Sequence, residues 1–225
     1  MQKQDISGAW HSGIPSWVEL KKMAQAGTIS QVLSEGDLIP IRLASGEENA
    51  IRVTHDQVGN MFFVFENCLD KTFFMNRNEA NAGGWAKSEM RAYLNGEIAK
   101  QLPDDLLESI EPISIEQEMP DKTCTKSCDK LFLLSEEQVF GENEYSYSKP
   151  EKGASQLRIF EGSNGKCRAT SLGGNPIWWW LRSPCESHTA YRFVIVYWDG
   201  SVYTNHANDT GGVAPSFCLV EPKKH

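Results

Sequence analysis

Short apolar runs separated by glycine, asparagine and charged residues characterise the first third of the chain. They are LIPIRL (38–43), AIRVT (50–54) and MFFVF (61–65). Runs of this length, rich in β-branched and aromatic residues and bounded by turn formers, are typical of strands. The polar stretch SGEEN (45–49) predicts a hairpin turn between the first two. We therefore predict an α+β fold built mainly of short antiparallel strands, with a few helices and long loops.

Two segments in the first half of the chain have clear helical signals. Ser16 and Glu19 have the spacing of a capping box, which predicts a helix that begins there and ends at Gly27. Residues 86–102 repeat apolar side chains every four positions, as one face of a helix does, and Pro103 ends the pattern. The repeating positions are Met90, Leu94, Ile98 and Leu102.

The middle of the chain alternates between polar and apolar segments. Asp104 is positioned to cap a short helix, and the polar span 111–130 predicts a long surface loop. LFLL (131–134) predicts a buried strand. SEEQ (135–138) is a second capping box that opens another short helix.

The last third predicts a hairpin. RFVIVYW (192–198) and SVYT (201–204) flank Asp199-Gly200, and this dipeptide between two β-rich runs favours a two-residue type I′ turn. The first run is apolar on both faces, which predicts a central, mostly buried strand. GGVAPSFCLV (211–220) predicts a final strand that enters the core.

Three consecutive tryptophans occur in IWWWLRSP (177–184). In an extended strand Trp178 and Trp180 point to one face and Trp179 to the other. Burying one tryptophan removes about 200 Å² from water, worth about 5 kcal/mol before entropy is counted. Two interpretations follow: the run is only the spine of a core, or it is the rigid floor beneath a binding surface.

Composition and charge narrow the function classes. The chain has 225 residues, 40% of them apolar, and a net charge of −8, which argues against a sequence-independent nucleic-acid binder. It lacks an 18-residue apolar run, so we expect no membrane span. MQKQDISGAW shows no signal peptide, which favours a cytoplasmic or phage-particle location, with the cell surface left open. Six cysteines in a chain of 225 residues are too sparse for a fold held together by disulfides.

Motifs for catalysis or cofactor binding are weak. Cys124-x-x-x-Cys128 has the wrong spacing for a zinc knuckle and has no second Cys/His pair close behind it. The glycine pairs 173–174 and 211–212 lack the lysine of a phosphate loop. We therefore assign no catalytic residue, no metal ligand and no cofactor.

The interval 185–210 has an unusual composition. It concentrates tyrosine, serine, threonine, asparagine and histidine around one tryptophan, as antibody paratopes do. We predict a ligand-binding surface there, and the alternative is a solvated hairpin whose polar residues bind nothing. The candidate contact residues are Glu186, Ser187, His188, Thr189, Tyr191, Arg192, Trp198, Tyr203, Asn205, His206, Asn208 and Asp209.

Several motifs occur in the order found in a family of bacterial and phage domains of unknown function. They are GDLIPIRL, AIRV, SEMRAYLNGE, DKLFLLSEEQVFG, WWWLRSP, DGSV and GVAPSFCL, and the resemblance covers roughly residues 34–220. It implies a C-type lectin-like fold with the architecture of formylglycine-generating enzymes. The predicted organisation is a helical extension (1–33) and a single C-type lectin-like domain (34–225).

The resemblance also implies a function. Related folds include the variable proteins of diversity-generating retroelements, whose ligand-binding residues lie between a WWLRSP-like and a GVRP-like motif, which here brackets 185–210. The expectation is a non-enzymatic protein that binds a protein or other macromolecular ligand, of unknown oligomeric state. Ala214 replaces the arginine of GVRP, and the sequence motifs of calcium-dependent sugar-binding lectins are absent.

Two alternatives come from other classes. One is a modifying enzyme of the formylglycine-generating type, although Cys185 and Cys218 lie 33 positions apart, unlike the close cysteine pair of those enzymes. The other is a structural phage or surface-assembly module, in which the same face binds a sister subunit.

Overall fold

The chain forms a mixed α+β structure made mostly of strands and loops. The computed structural model describes residues 13–119, 122–146, 154–162, 166–170, 174–185 and 190–223. Within this part of the chain, one continuous cluster of buried apolar side chains extends from Trp17 to Leu219. No helix among the described residues is long and apolar enough to cross a bilayer.

Both predicted capping boxes are present. The α-helices are α1 (Trp17–Gln25), α2 (Glu89–Tyr93), α3 (Asp104–Ser109) and α4 (Glu136–Phe140). At α1 the Ser16 hydroxyl accepts from the Glu19 N–H, and the Glu19 carboxylate accepts from the Ser16 N–H. Ser135 and Gln138 make the same exchange at α4. Gly27 has a φ of 70°, as expected for the residue that ends α1.

The predicted helix over 86–102 is divided into four short segments of three helical types. A 3₁₀ turn (Trp85–Lys87) precedes α2, which continues into a π-helix (Leu94–Ile98) and a second 3₁₀ turn (Ala99–Gln101). Asn95 bonds through its side chain to the backbone of residues 130 and 131, which ties the π segment to a neighbouring loop. The apolar stripe is still buried at all four positions, Met90, Leu94, Ile98 and Leu102.

One four-stranded antiparallel sheet has the order β1-β2-β3-β9. Its strands are β1 (Leu38–Arg42), β2 (Glu48–His55), β3 (Met61–Phe65) and β9 (Ser216–Phe217). The three predicted strands and the first hairpin are therefore confirmed. The predicted final strand is reduced to the two residues of β9, with isolated bridges at Gly211, Gly212 and Cys218. Helix α1 packs on this sheet through Trp17, whose ring lies 5.8 Å from that of Phe63 and 5.7 Å from that of Phe217.

The prediction of a surface loop over 111–130 is wrong. This span forms an antiparallel hairpin of β4 (Ile113–Glu118) and β5 (Cys124–Asp129). Most of its residues are polar, but burial alternates along β4, where Ile113, Ile115 and Gln117 are buried. Two further expectations fail nearby: Asp104 does not cap α3, whose N-cap is Pro103, and the buried run 131–134 forms no strand beyond a bridge from Phe132 to Ser216.

A second antiparallel sheet has the order β6-β7-β8. Its strands are β6 (Trp179–Pro184), β7 (Arg192–Val196) and β8 (Val202–His206). Strand β7 is central, and Phe193, Val194, Ile195 and Val196 are all buried, as predicted. Strand β8 lies at the edge.

The turn between β7 and β8 is not the predicted type I′ turn. Gly200 donates to the Tyr197 carbonyl, and Tyr197 donates to the Ser201 carbonyl. Gly200 has a φ of 88°, whereas Asp199 does not have the positive φ that a type I′ turn requires. The two strands are therefore joined by a three-residue loop, 198–200, with Gly200 in the left-handed region. The Asp199 carboxylate stabilises it by accepting from the Ser201 N–H and hydroxyl, which also lower the pKa of Asp199.

The tryptophan run anchors the second sheet from both faces. Trp178 and Trp180 lie on the same side, with ring centroids 5.0 Å apart. Trp179 faces the other side, where the Arg168 guanidinium lies 5.0 Å from its ring. The indole N–H groups of Trp179 and Trp180 donate to the carbonyls of Lys166 and Phe73. Both rings are fully buried.

Candidate ligand-binding surface of the β7–β8 hairpin

Four aromatic side chains form a continuous group at the turn end of the hairpin. They are Tyr145, Tyr197, Trp198 and Tyr203, here called the aromatic tip. The Tyr203 ring lies 6.1 Å from Tyr197 and 6.5 Å from Tyr145, and Tyr197 lies 5.6 Å from Trp198. Tyr197, Trp198 and Tyr203 are 37, 52 and 54% exposed. Large aromatic side chains grouped on a surface are typical of binding sites.

A buried carboxylate holds the loop that carries Tyr145. Glu136, in the first turn of α4, is completely buried. Its oxygens accept from the N–H groups of Glu144, Tyr145 and Ser146 at 2.8–3.0 Å, and from the Ser146 hydroxyl. Four donors around one carboxylate satisfy a charge that would otherwise be costly to bury. The side chain of Tyr145 is thereby held beside Tyr203.

The hairpin turn also rests on the body of the protein. A Cβ atom added to Gly200 would lie 3.3 Å from the Cys167 sulfur and 3.4 Å from the Lys166 Cβ. The carbonyl of Lys166 is the one that accepts from the Trp179 indole. The turn and the buried strand β6 therefore contact the same short segment, which fixes the position of the aromatic tip relative to the core.

A polar network occupies the opposite end of the hairpin. Arg192 and His206 are paired across β7 and β8, and the Arg192 Nη2 lies 2.9 Å from the His206 Nε2. The Nδ1 of His206 contacts the Glu79 carboxylate. Because a guanidinium can only donate, Nε2 is the acceptor and Nδ1 carries the proton that Glu79 accepts. His206 thus has both nitrogens engaged, and it cannot act as a general base in this arrangement.

Further contacts complete this polar end. Arg192 also donates to the Thr204 hydroxyl at 3.2 Å, and its guanidinium carbon lies 5.8 Å from the Tyr191 ring. Tyr191 and His206 have ring centroids 5.0 Å apart. These side chains are half-buried or buried and mutually bonded. They can present hydrogen-bonding edges to a ligand, but they are held chiefly by one another.

The predicted contact residues therefore fall into separate groups. Trp198 and Tyr203 lie in the aromatic tip, whereas Tyr191, Arg192 and His206 lie in the polar network, which is three residues, or roughly 10 Å, from Tyr203 along β8. Asn205 bonds to the N–H of His206, between the two groups. Two residues, Asn208 and Asp209, are exposed beyond the end of β8. The remaining four, Glu186, Ser187, His188 and Thr189, lie outside the described residues.

Three residues at the site were missed by the sequence interpretation. Tyr197 was left out because the whole run 192–198 was predicted to be mostly buried, but the strand ends at Val196 and the ring is exposed. Tyr145 and Glu79 are distant in sequence, and their only signal was their residue type. Contacts of this kind depend on tertiary structure, which period-2 patterning does not report.

The other residues considered as catalytic or metal-binding candidates do not form a common site among the described residues. Cys185 and Cys218 are both buried, and burial raises the pKa of Cys185 to about 12 and that of Cys218 well above its usual value. Both thiols are protonated at neutral pH and are poor nucleophiles. Among the described residues, no three His, Cys, Asp or Glu side chains are grouped so that they could hold a metal ion.

A groove of about 660 Å³ lies away from the hairpin, and none of the predicted contact residues line it. Its floor is formed by Leu69, Tyr93 and Ile98, and its rim has both signs of charge. Burial raises the pKa of Tyr93, with Glu97 and Glu47 adding to the effect. The rim residues are Arg42, Ser45, Gly46, Glu47, Glu48, Asp70, Lys71 and Gln101.

Comparison with known protein families identifies the family of the part of the chain that contains the hairpin. The model of DUF6273, a domain of unknown function, matches residues 59–221. The chain belongs to this family. The matched stretch includes β3 to β9, and therefore both the aromatic tip and the polar network. No curated protein and no solved structure matches the chain.

Proposed function

We propose that this DUF6273 protein is a non-enzymatic ligand-binding protein, which presents the β7–β8 hairpin and its flanks to a protein or other macromolecular ligand. The observation that carries the proposal is the aromatic tip. Three exposed aromatic rings, linked through Tyr197, stand on a hairpin whose inner strand β7 is buried from Phe193 to Val196. Tyrosine and tryptophan provide rigid contact area at a low entropic cost, which suits a preorganised binding surface.

The burial pattern supports a division between frame and surface. Trp179, Trp180 and Leu181 before the hairpin, and Val213 and Ala214 after it, are fully buried. Exposure is concentrated between them, at 197–203 and 208–210. Changes at the exposed positions leave the core contacts of β6 and β7 in place. This property is what a protein with a changeable binding surface requires.

The finer proposal is a C-type lectin-like fold and a variable protein of a diversity-generating retroelement. It is supported by the order of the WWWLRSP and GVAP motifs around the exposed interval. Ala214, in place of the usual arginine, is fully buried between Val213 and Pro215, so the residue that departs from the motif belongs to the frame and not to the surface.

The binding proposal is tested by comparing two variants as baits. Trp198→Ala/Tyr203→Ala removes most of the exposed ring area of the tip. Val58→Ala removes an apolar side chain that is 52% exposed elsewhere, and it serves as the matched control. Each protein is cross-linked in extracts of the encoding organism, and partners are quantified by mass spectrometry. We expect a partner that wild type and the control retain and the double variant loses. Equal retention by all three rejects this surface.

The retroelement proposal has its own test in the coding DNA. We expect a reverse-transcriptase gene nearby and a near-copy of the 3′ end of the gene. Differences between the two copies should fall at adenines and within the codons for 185–210. Differences spread over all four bases, or over the codons of the buried strands, would reject it while leaving the ligand proposal intact.

A further inference from the structure

The groove of about 660 Å³ that lies away from the hairpin is built from three segments joined by hydrogen bonds. They are the β1–β2 turn (42–48), the loop 69–71 and the helical stretch 93–101. The Ala44 N–H donates to the Gln101 carbonyl at 2.8 Å, which ties the turn to the helical stretch. The Asp70 N–H donates to the Glu47 carboxylate at 3.2 Å, which ties the loop to the turn. The groove is therefore preformed, and its volume is that of a small-molecule site.

The hydroxyl of Tyr93, on the floor of the groove, is a polar group that the fold does not use. Tyr93 is only 6% exposed, and its ring stacks on that of Phe73 with centroids 4.0 Å apart. The hydroxyl makes no hydrogen bond in the described part of the chain, and its oxygen is not sealed from solvent. Burial raises the pKa of Tyr93, and the nearby carboxylates of Glu97 and Glu47 add to the effect. A largely buried hydroxyl without a partner is uncommon, and a ligand that bonds to it satisfies the group.

Charges of both signs lie at the rim of the groove. Arg42 and Glu48 are opposite each other in the register of β1 and β2, yet they form no ion pair. Lys71 also has no carboxylate partner among the described residues, and its ammonium lies 5.7 Å from the Tyr93 ring. Glu47 adds a second carboxylate to the same rim. A ligand with one charge would meet like charges here, whereas a ligand with both signs can pair with each.

A π-helical turn carries the floor of the groove. It extends over Leu94–Ile98, directly after Tyr93, and the Ala99 N–H donates to the Leu94 carbonyl five residues earlier. Such turns are rare, and they are frequent at functional sites. The unusual backbone and the unbonded hydroxyl therefore coincide at one place in the fold.

We propose that the groove binds a small zwitterion, an amino acid or short peptide with an apolar side chain. The ammonium of the ligand donates to the Tyr93 hydroxyl and to Glu47, because the carboxylates around the phenol favour a positive charge there. The carboxylate of the ligand accepts from Arg42 and Lys71, and the apolar side chain lies on the floor. The groove shares no residue with the aromatic tip, so this site is independent of the proposed macromolecular ligand.

Amide NMR spectra of the isotopically labelled full chain test the proposal. The probes are a panel of the common amino acids and of dipeptides with one apolar residue. We expect at least one to bind with a Kd on the order of 0.1 mM and to shift the signals of 42–48, 69–71 and 93–101. Acetylation of its amino group, or amidation of its carboxylate, should each weaken binding at least about tenfold. A panel that does not bind at about 10 mM, or that shifts only other residues, overturns the proposal.

Two substitutions test the assigned contacts. Tyr93→Phe keeps the stacked ring and removes a hydroxyl that bonds to nothing else, so we expect wild-type thermal stability and about three- to tenfold lower affinity. Arg42→Gln should lower the affinity about two- to fivefold, since its contact is exposed, and the amidated probe should not respond to it. Arg158→Gln changes an exposed arginine outside the groove and is the control. Equal affinity of Tyr93→Phe and wild type rejects the site. Trp198→Ala/Tyr203→Ala should bind the probe like wild type, and a loss there would move the site to the aromatic tip and refute the groove.

Discussion

The rigid support of the hairpin can be tested at Trp179, which is fully buried and contacts both the backbone and a cation. We consider Trp179→Ala. Truncation of a buried tryptophan costs about 3–5 kcal/mol. The Arg168 guanidinium, 5.0 Å from the ring, loses a cation–π contact worth about 1 kcal/mol. We expect a loss of about 4 kcal/mol in the free energy of unfolding. For a chain of this size that lowers Tm by roughly 8–16 °C.

Urea unfolding followed by far-UV circular dichroism measures this loss without relying on tryptophan fluorescence. Trp198→Ala is the matched comparison, because its side chain is 52% exposed and should cost less than about 1 kcal/mol. Trp179→Phe keeps most of the ring and loses the N–H bond to Lys166, for an intermediate cost of about 1–2 kcal/mol. Equal destabilisation by Trp179→Ala and Trp198→Ala would refute the distinction between frame and surface.

Three further predictions concern packing, thiols and acid stability. Gly211→Ala should destabilise strongly, since an added Cβ would lie 2.1 Å from the Trp178 ring; thermal unfolding against wild type checks this. Titration of the native protein with a thiol reagent should modify half of the six cysteines quickly, and equal reactivity of all six would contradict the burial described. The fast thiols should be Cys124, Cys128 and Cys167. Arg52→Gln should cost about 1–2 kcal/mol near pH 7, because it removes the two bonds from Arg52 to Glu66. Burial acts to raise the pKa of Glu66, but the bonded guanidinium outweighs it and holds that pKa below its usual 4.5. The difference in the free energy of unfolding between wild type and Arg52→Gln should therefore have its full value above pH 4.5 and shrink as the pH falls further. A difference that grew in acid would contradict this.

Local signals predicted much of the fold. The capping boxes at Ser16 and Ser135 depend on neighbours three residues apart, and they are present as expected. The central position of β7 followed from an apolar pattern on both faces. The hairpin over 113–129 was missed because polar residues outnumber its alternating isoleucines. The turn at Asp199-Gly200 was misassigned because the same dipeptide suits two turn types, and contacts with Lys166 and Cys167 accompany the one observed.

The candidate site was less accessible to sequence reasoning. Composition identified the interval that contains Trp198 and Tyr203, but it could not divide the aromatic tip from the polar network. That division depends on the register of β7 and β8, which pairs Arg192 with His206 and leaves Tyr203 opposite Ile195. Glu79 and Tyr145 join the site from segments far away in the chain. Only long-range packing brings them there.

The two indole N–H groups that reach the carbonyls of Lys166 and Phe73 have a practical consequence for protein engineering. They tie β6 to segments on both sides without using any atom of the turn. Positions 197, 198 and 203 could therefore be randomised together as an exchangeable cassette, with the remainder of the molecule, including the Asp199–Ser201 contact of the turn, serving as a fixed display scaffold. Selection from such a library would yield new binders whose thermal stability stays close to that of the parent.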